Sequence, residues 1–147
     1  MKASFWFSIL IFPFLLLVLT VISIFVSYVH ISIGIAQENS GFVTPSLNII
    51  CSSFENKLRC DLHENTSQLP PRPKDCDLEW GNAFEMSLKG KPSRVCVGDA
   101  VPGGPILEYG KTWDYQGFHC SSEMTGLTCV NQNKKGWMLK KIEQRLF

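Results

Sequence analysis

A chain of 147 residues with 14 Lys and Arg against 13 Asp and Glu has room for one domain and carries almost no net charge. Near-neutrality gives no electrostatic footing for nucleic acid as a partner. Six cysteines in so short a chain, an even number, fit an oxidising compartment rather than a reducing one.

In chain order, the first feature is an apolar run. Lys2 is followed by no charged residue from Ala3 to Val29, and Phe5, Trp6, Phe7 and Leu10 open a hydrophobic stretch that continues to Ile35. Residues 1–36 are expected to form a hydrophobic helix. Gly34 and Ala36 before Gln37 supply the small-residue pattern of a signal peptide cleaved after Ala36. The stretch also exceeds what a signal needs, and about 20 apolar residues cross a bilayer, so an uncleaved membrane anchor over residues 3–35 stands beside it. In both cases Lys2 stays inside, and the segment 37–147 is expected to be exported, either secreted or anchored.

Period-two patterns dominate residues 37–147. Leu47, Ile49 and Cys51 alternate on one face, then Leu58, Cys60 and Leu62, then Cys76, Leu78 and Trp80, then Phe84, Met86 and Leu88. Leu107, Tyr109, Lys111 and Trp113 make a fifth stretch, and Phe118 with Cys120 and Leu127 with Cys129 a further pair. Trp137, Leu139 and Lys141 suit a strand, whereas Leu139, Ile142 and Leu146 suit a short helix. Gly and Pro clusters at 70–73, 90–92 and 102–105 and the turn-rich stretch 131–136 mark loops between these runs. The pattern predicts a small antiparallel all-β domain, a sandwich or an open barrel of disulfide-stapled hairpins.

A local repeat biases the cysteine pairing. Cys51-Ser-Ser stands before Cys60 as Cys120-Ser-Ser stands before Cys129. Eight intervening residues allow a two-residue turn, three cross-strand pairs and then a bridge at a non-hydrogen-bonded pair, where side chains approach closest. The expected bridges are Cys51 with Cys60, Cys120 with Cys129, and Cys76 with Cys96. Turn centres are expected at Glu55-Asn56 and at Met124-Thr125-Gly126. Neither a C-x2-C nor an H-x3-H spacing is present, so no metal site is expected, and full pairing leaves no thiol for His63 or His119 to activate.

The order of short motifs is similar to that of a known family. Phe42 through Cys51, Leu58-Arg59-Cys60-Asp61, Pro71-Arg72-Pro73 with Cys76, and Asp77-Leu78-Glu79-Trp80-Gly81 occur in register. Gly98-Asp99, Leu107 through Trp113, Gly117 through Ser122 and Gly126 through Asn131 complete it. Over about residues 41–147 the chain resembles the bacterial exported family catalogued as domain of unknown function 6636. The resemblance implies export and a cysteine-bridged domain, with no activity to carry over. Leu47 stands where a glycine is usual, and Lys140-Lys141 where a Ser-Arg pair is.

No motif is diagnostic of a reaction, and no catalytic residue or cofactor is expected. Asp75, Asp77 and Glu79 on one strand face would lie within the separation of paired glycosidase carboxylates, which gives the weakest of three functional readings, hydrolysis of cell-wall glycan. Trp113, Tyr115 and Tyr109 are the candidate ligand-binding residues, because aromatic rings serve interfaces and sugar faces alike. They support the leading reading, a non-catalytic binding or adhesion module whose partner is an envelope polymer or another protein. A secreted inhibitor or effector of another protein is the alternative. The skew of Lys134, Lys135, Lys140, Lys141 and Arg145 against Glu143 marks a basic C-terminal edge.

Overall fold

The computed structural model describes Val21 and residues 40–147. The expected hydrophobic helix over 1–36, the cleavage after Ala36 and the anchor at 3–35 lie outside the described residues. Among the described residues no helix is long and apolar enough to cross a membrane. The chain divides into two units, Met1–Gln37 and Glu38–Phe147, and every strand belongs to the second.

Ten strands make two antiparallel five-stranded sheets. The first is β1 (Gly41–Val43), β2 (Ile49–Phe54), β3 (Lys57–Leu62), β4 (Glu79–Ser87) and β5 (Ser93–Val97), side by side in that order. The second is β6 (Lys111–Tyr115), β7 (Phe118–Glu123), β8 (Gly126–Val130), β9 (Gly136–Lys140) and β10 (Glu143–Leu146), again in order. Each half is therefore a meander. Alternation decides which face each strand buries: Leu58, Cys60 and Leu62 are buried while Arg59 and Asp61 point the other way.

The two halves repeat one another strand for strand. Phe42, Cys51, Cys60 and Phe84 are register partners across β1 to β4, as Trp113, Cys120, Cys129 and Trp137 are across β6 to β9. A second row, Ser53, Leu58 and Met86, has its counterpart in Ser122, Leu127 and Leu139. The rows meet in one shared core. Phe42 lies 5.1 Å from Trp113 and Phe84 lies 6.4 Å from Trp137 between ring centroids, both pairs tilted by 55°. Tilted pairs at these distances contribute beyond their buried area because ring edges meet ring faces.

The bridges sit where the expected register puts them. Cys51 pairs with Cys60 and Cys120 with Cys129 at Cα separations of 4.1 and 4.0 Å, the closest class of antiparallel neighbours. Glu55 and Asn56 take φ of 49° and 60°, the two left-handed residues that a tight hairpin turn demands. In the second hairpin Met124 and Thr125 alone form the turn, and the positive φ, 139°, falls on Gly126 at the start of β8.

Several expected strands are shorter or absent. Cys76 and Leu78 lie outside any strand, since three prolines in Pro70 through Pro73 and a turn closed by the Cys76 amide on the Pro73 carbonyl (3.2 Å) precede them. Only Trp80 of that run is in β4. Leu107 and Tyr109 precede β6: Leu107 donates its amide to the Val43 carbonyl (2.8 Å) and accompanies the outer edge of β1. Leu47 is not in β2 but in the loop before it, at φ 57° and 61% exposed. The glycine that the resemblance implies at that place would suit this backbone, which glycine adopts without strain. The C-terminal dozen residues form the strand alternative, β9 and β10, rather than the helix.

The long connection from β5 to β6 crosses the outer face of the first sheet. Asp61 accepts the Val101 amide (3.1 Å), Ser52 Oγ accepts the Gly103 amide (3.0 Å), and the Val43 amide donates to Pro105 (3.0 Å). A side chain on Gly104 would collide with the Gly41 backbone, so the two segments touch main chain to main chain. On the opposite flank Gln144 of β10 bonds Asn65 (3.1 Å), Ser67 (2.6 Å) and Arg94 of β5 (3.3 Å), tying the sheets together.

Candidate functional site

The three expected bridges are all formed, and no cysteine among the described residues is free. Cys76–Cys96 ties the 63–78 connection to β5, whereas the other two are wholly buried.

The three aromatic candidates do not form one site. Trp113 stacks on Tyr115 (5.5 Å, 23°) and turns its other contacts toward Phe42, which makes it partly a core residue. Tyr115 borders a shallow depression of about 320 Å³ with Asp114, Gln116, His119 and Lys134. Tyr109 stands apart from both, 41% exposed on a different and larger cleft.

The acidic triad is corrected. Asp75 is in a turn, Asp77 is in coil, and only Glu79 belongs to β4, so no strand face carries all three. Asn65 of the glycosylation-like Asn65-Thr66-Ser67 is turned inward, its amide on the Gly81 carbonyl (3.2 Å) and its oxygen on the Ser67 amide (2.9 Å). Among the described residues no group of three potential metal ligands is found.

The larger cleft encloses about 690 Å³ at the end of the domain where Met124-Thr125 turns β7 into β8. Ile49, Leu127 and Leu139 form its floor and belong to both sheets. Its walls are turns: Leu47 before β2, Tyr109 before β6, Met124 between β7 and β8, and Ile142 between β9 and β10. Four exposed large apolar side chains thus converge on one opening, with Met124 at 86% and Ile142 at 68% exposure. Scattered singly they would need no explanation, but gathered around a concavity they mark a recognition surface.

Both lysines on the rim are paired. Lys141 holds Glu64, and Lys140 holds Glu143 (2.8 Å). The hydrogen bond from Lys141, reinforced by its charge, lowers the Glu64 pKa, and the bond from Lys140 does the same for Glu143. Asn48 fixes Glu64 from the other side, donating to its carbonyl (3.1 Å) and accepting its amide (2.7 Å). Ser121 donates to Glu123 (3.2 Å). The hydroxyl of Thr44 is engaged with Ser46 and with the main chain of Ile49. An opening with an apolar floor, apolar walls and a rim whose two lysines are paired, Glu123 having a hydroxyl as its partner, suits an apolar group.

No motif in the sequence marks Leu47, Met124 and Ile142 as site residues. A signal is present nonetheless: large apolar residues at three turn positions, where polar or small residues are the rule.

The chain belongs to the family described as Family of unknown function (DUF6636), which matches residues 21–147. That match begins well upstream of Phe42 and includes all ten strands. No curated protein and no solved structure matches the chain.

Proposed function

We propose that this is an exported, non-catalytic binding module, and that the cleft at the Met124 end receives an apolar side-chain segment of another protein. The observation that carries the reading is the convergence of Leu47, Tyr109, Met124 and Ile142 from four separate turns on one opening. A single aromatic ring among flexible aliphatic walls suits protein side chains better than sugar rings, which require planar stacking partners with free polar neighbours. Loops on a rigid bridged frame are the usual carriers of recognition. The three bridges support export, since such bonds persist in oxidising surroundings. The apolar run at residues 3–35 supports it as well, as a signal or an anchor.

The test is selection of displayed peptides on the oxidised protein. Apolar peptides are expected to be enriched and to shift the amide NMR signals of Leu47, Tyr109, Met124 and Ile142. Met124→Asp with Ile142→Asp should abolish their binding without unfolding the domain, because both side chains are exposed. Peptides that bind the double variant equally well, or shifts confined to another face, would overturn the reading.

A further inference from the structure

We infer that the end of the domain opposite the cleft is a second binding surface, for a linear polyanion. Four lysines carry it: Lys89 and Lys91 in the loop from β4 to β5, and Lys134 and Lys135 in the loop from β8 to β9. The strand directions place these loops away from Met124, since β8 runs from the Met124 turn to the second loop and the first loop is bonded to it. The sequence separates the two pairs by more than forty positions, and folding brings their loops together.

Asn131 is the joint. Buried to 2% exposure, it donates its side-chain amide to the carbonyls of Ser87 (2.9 Å) and Gly90 (3.0 Å) in one loop. Its side-chain oxygen accepts the amides of Asn133 (3.0 Å) and Lys135 (3.1 Å) in the other. The Gln132 amide adds a bond to the Leu88 carbonyl (3.2 Å). A buried asparagine with all its capacity used makes the spacing of the two loops rigid.

This end keeps an excess of positive charge. Among the described residues none of the four lysines has a carboxylate partner. In the basic C-terminal edge Lys140 and Arg145 share Glu143 and Lys141 holds Glu64, so most of that charge is offset where it stands and the unpaired lysines lie at this end. Of the acids nearby, Glu85 is held by Lys57 (2.9 Å), whereas Asp114, hydrogen-bonded to the His119 ring (2.7 Å), and Glu55 in the adjoining turn have no Lys or Arg partner among the described residues, so the four lysines outnumber the carboxylates left there. Four like charges on coupled loops raise the local concentration of anions.

Lys134 holds φ 57°, a backbone region where glycine or asparagine is favoured, as Leu47, Glu55, Asn56 and Gln116 do in other turns. That conformation lets a glycine remove its charge without straining the turn. Neither loop carries an exposed large apolar residue of its own, although the exposed Phe54 and Phe147 stand beside them at the end of β2 and after β10. The occupant that four lysines on two coupled loops fit is a flexible chain of phosphate or carboxylate groups, such as an envelope polymer, and a bilayer is the outcome against which it is tested. It is a different site from the cleft, with a different partner.

The experiment measures binding of the purified, oxidised protein to long-chain inorganic polyphosphate, with phosphatidylglycerol vesicles as the second arm. Polyphosphate binding should weaken steeply with salt. Changing all four lysines to glutamine should lower affinity by about a thousandfold, from roughly fivefold per lysine. Lys74→Gln with Lys111→Gln, which removes exposed charge elsewhere, should change it less than about twofold. Lys134→Gly should weaken binding roughly fivefold while the melting temperature holds or rises, separating recognition from structure. Equal losses in the control and the four-lysine variant, a fall in melting temperature for Lys134→Gly, or capture by vesicles alone would overturn the proposal.

Discussion

The two halves of this domain share a frame and differ at their ends. Through the bridge row they are equivalent position by position, with Phe42, Cys51, Cys60 and Phe84 answering to Trp113, Cys120, Cys129 and Trp137. Beyond that row and the serine row beside it the equivalence lapses. The two-residue turn Glu55-Asn56 is polar where Met124-Thr125 presents a bare thioether, and the loop at 88–92 carries lysines where the turn at Lys141-Ile142 carries an apolar wall. The difference is a division of labour. Residues that face the other sheet are constrained by packing on all sides, whereas turn residues are constrained only by φ, so chemistry can diverge there at little cost in stability.

The largest effect tests the frame as a whole. Each bridge stabilises by about 3 kcal/mol in the chain-entropy account, and three together match the stability of an ordinary domain. Full reduction should therefore unfold the domain, with near-ultraviolet dichroism lost. Removing one bridge at a time by Cys51→Ala with Cys60→Ala, or Cys120→Ala with Cys129→Ala, should give equal losses in urea denaturation, since both bridges have a sequence separation of 9. A clear inequality would break the comparison.

Next come the aromatic ends of the two rows. Phe84→Ala and Trp137→Ala should each cost about 3 to 5 kcal/mol, because both side chains are fully buried and leave a cavity. Trp137→Phe should cost much less than Trp137→Ala, since the indole Nε1 has no hydrogen-bond partner among the described residues and its loss removes a burden.

A smaller effect, of opposite sign, concerns the equivalent serines. Ser53 and Ser122 both bury a hydroxyl without a partner, beside the two bridges. Ser53→Ala and Ser122→Ala are each expected to be neutral or to stabilise by up to about 1 kcal/mol, measured by thermal denaturation. Destabilisation of one alone would show that the halves treat the same position differently.

The smallest effect distinguishes the ends by pH. Glu64 and Glu143 have lowered pKa values when folded, so their contribution is present above the ordinary 4.5 and disappears as pH falls through the folded values. Lys57 is raised above 10.5 by Glu85, so its contribution is present below that value and disappears as pH rises through the folded one. Acid should thus loosen the cleft rim first and alkali the opposite hairpin, visible as amide shifts at Lys141 and at Glu85. All three groups are exposed, so global stability should change little.

Much of the frame was legible along the chain. The doubled C-S-S-x6-C spacing sets both hairpin registers, because side-chain alternation has a period of two and a bridge tolerates no slip. Strand endings were less so: Cys76 and Leu78 alternate correctly, and the prolines before them override the pattern. Of the candidate site, Tyr109 is legible as an exposed ring, but its grouping with Trp113 and Tyr115 is not sustained. The two other rings pack near β1 while Tyr109 faces the cleft.

By itself, the order of residues pointed to the two hairpin bridges and to the all-β class, since these depend on spacing within a few positions of the chain, and it carried the membership of the family; Cys76 with Cys96, twenty positions apart, followed as the remaining pair. Only the assembled sheets decided that Leu47, Tyr109, Met124 and Ile142 share an opening, and that Lys89 and Lys91 stand beside Lys134 and Lys135. Those neighbours lie tens of residues apart, and it is the packing of one meander on the other, through the aromatic and bridge rows, that brings their loops together.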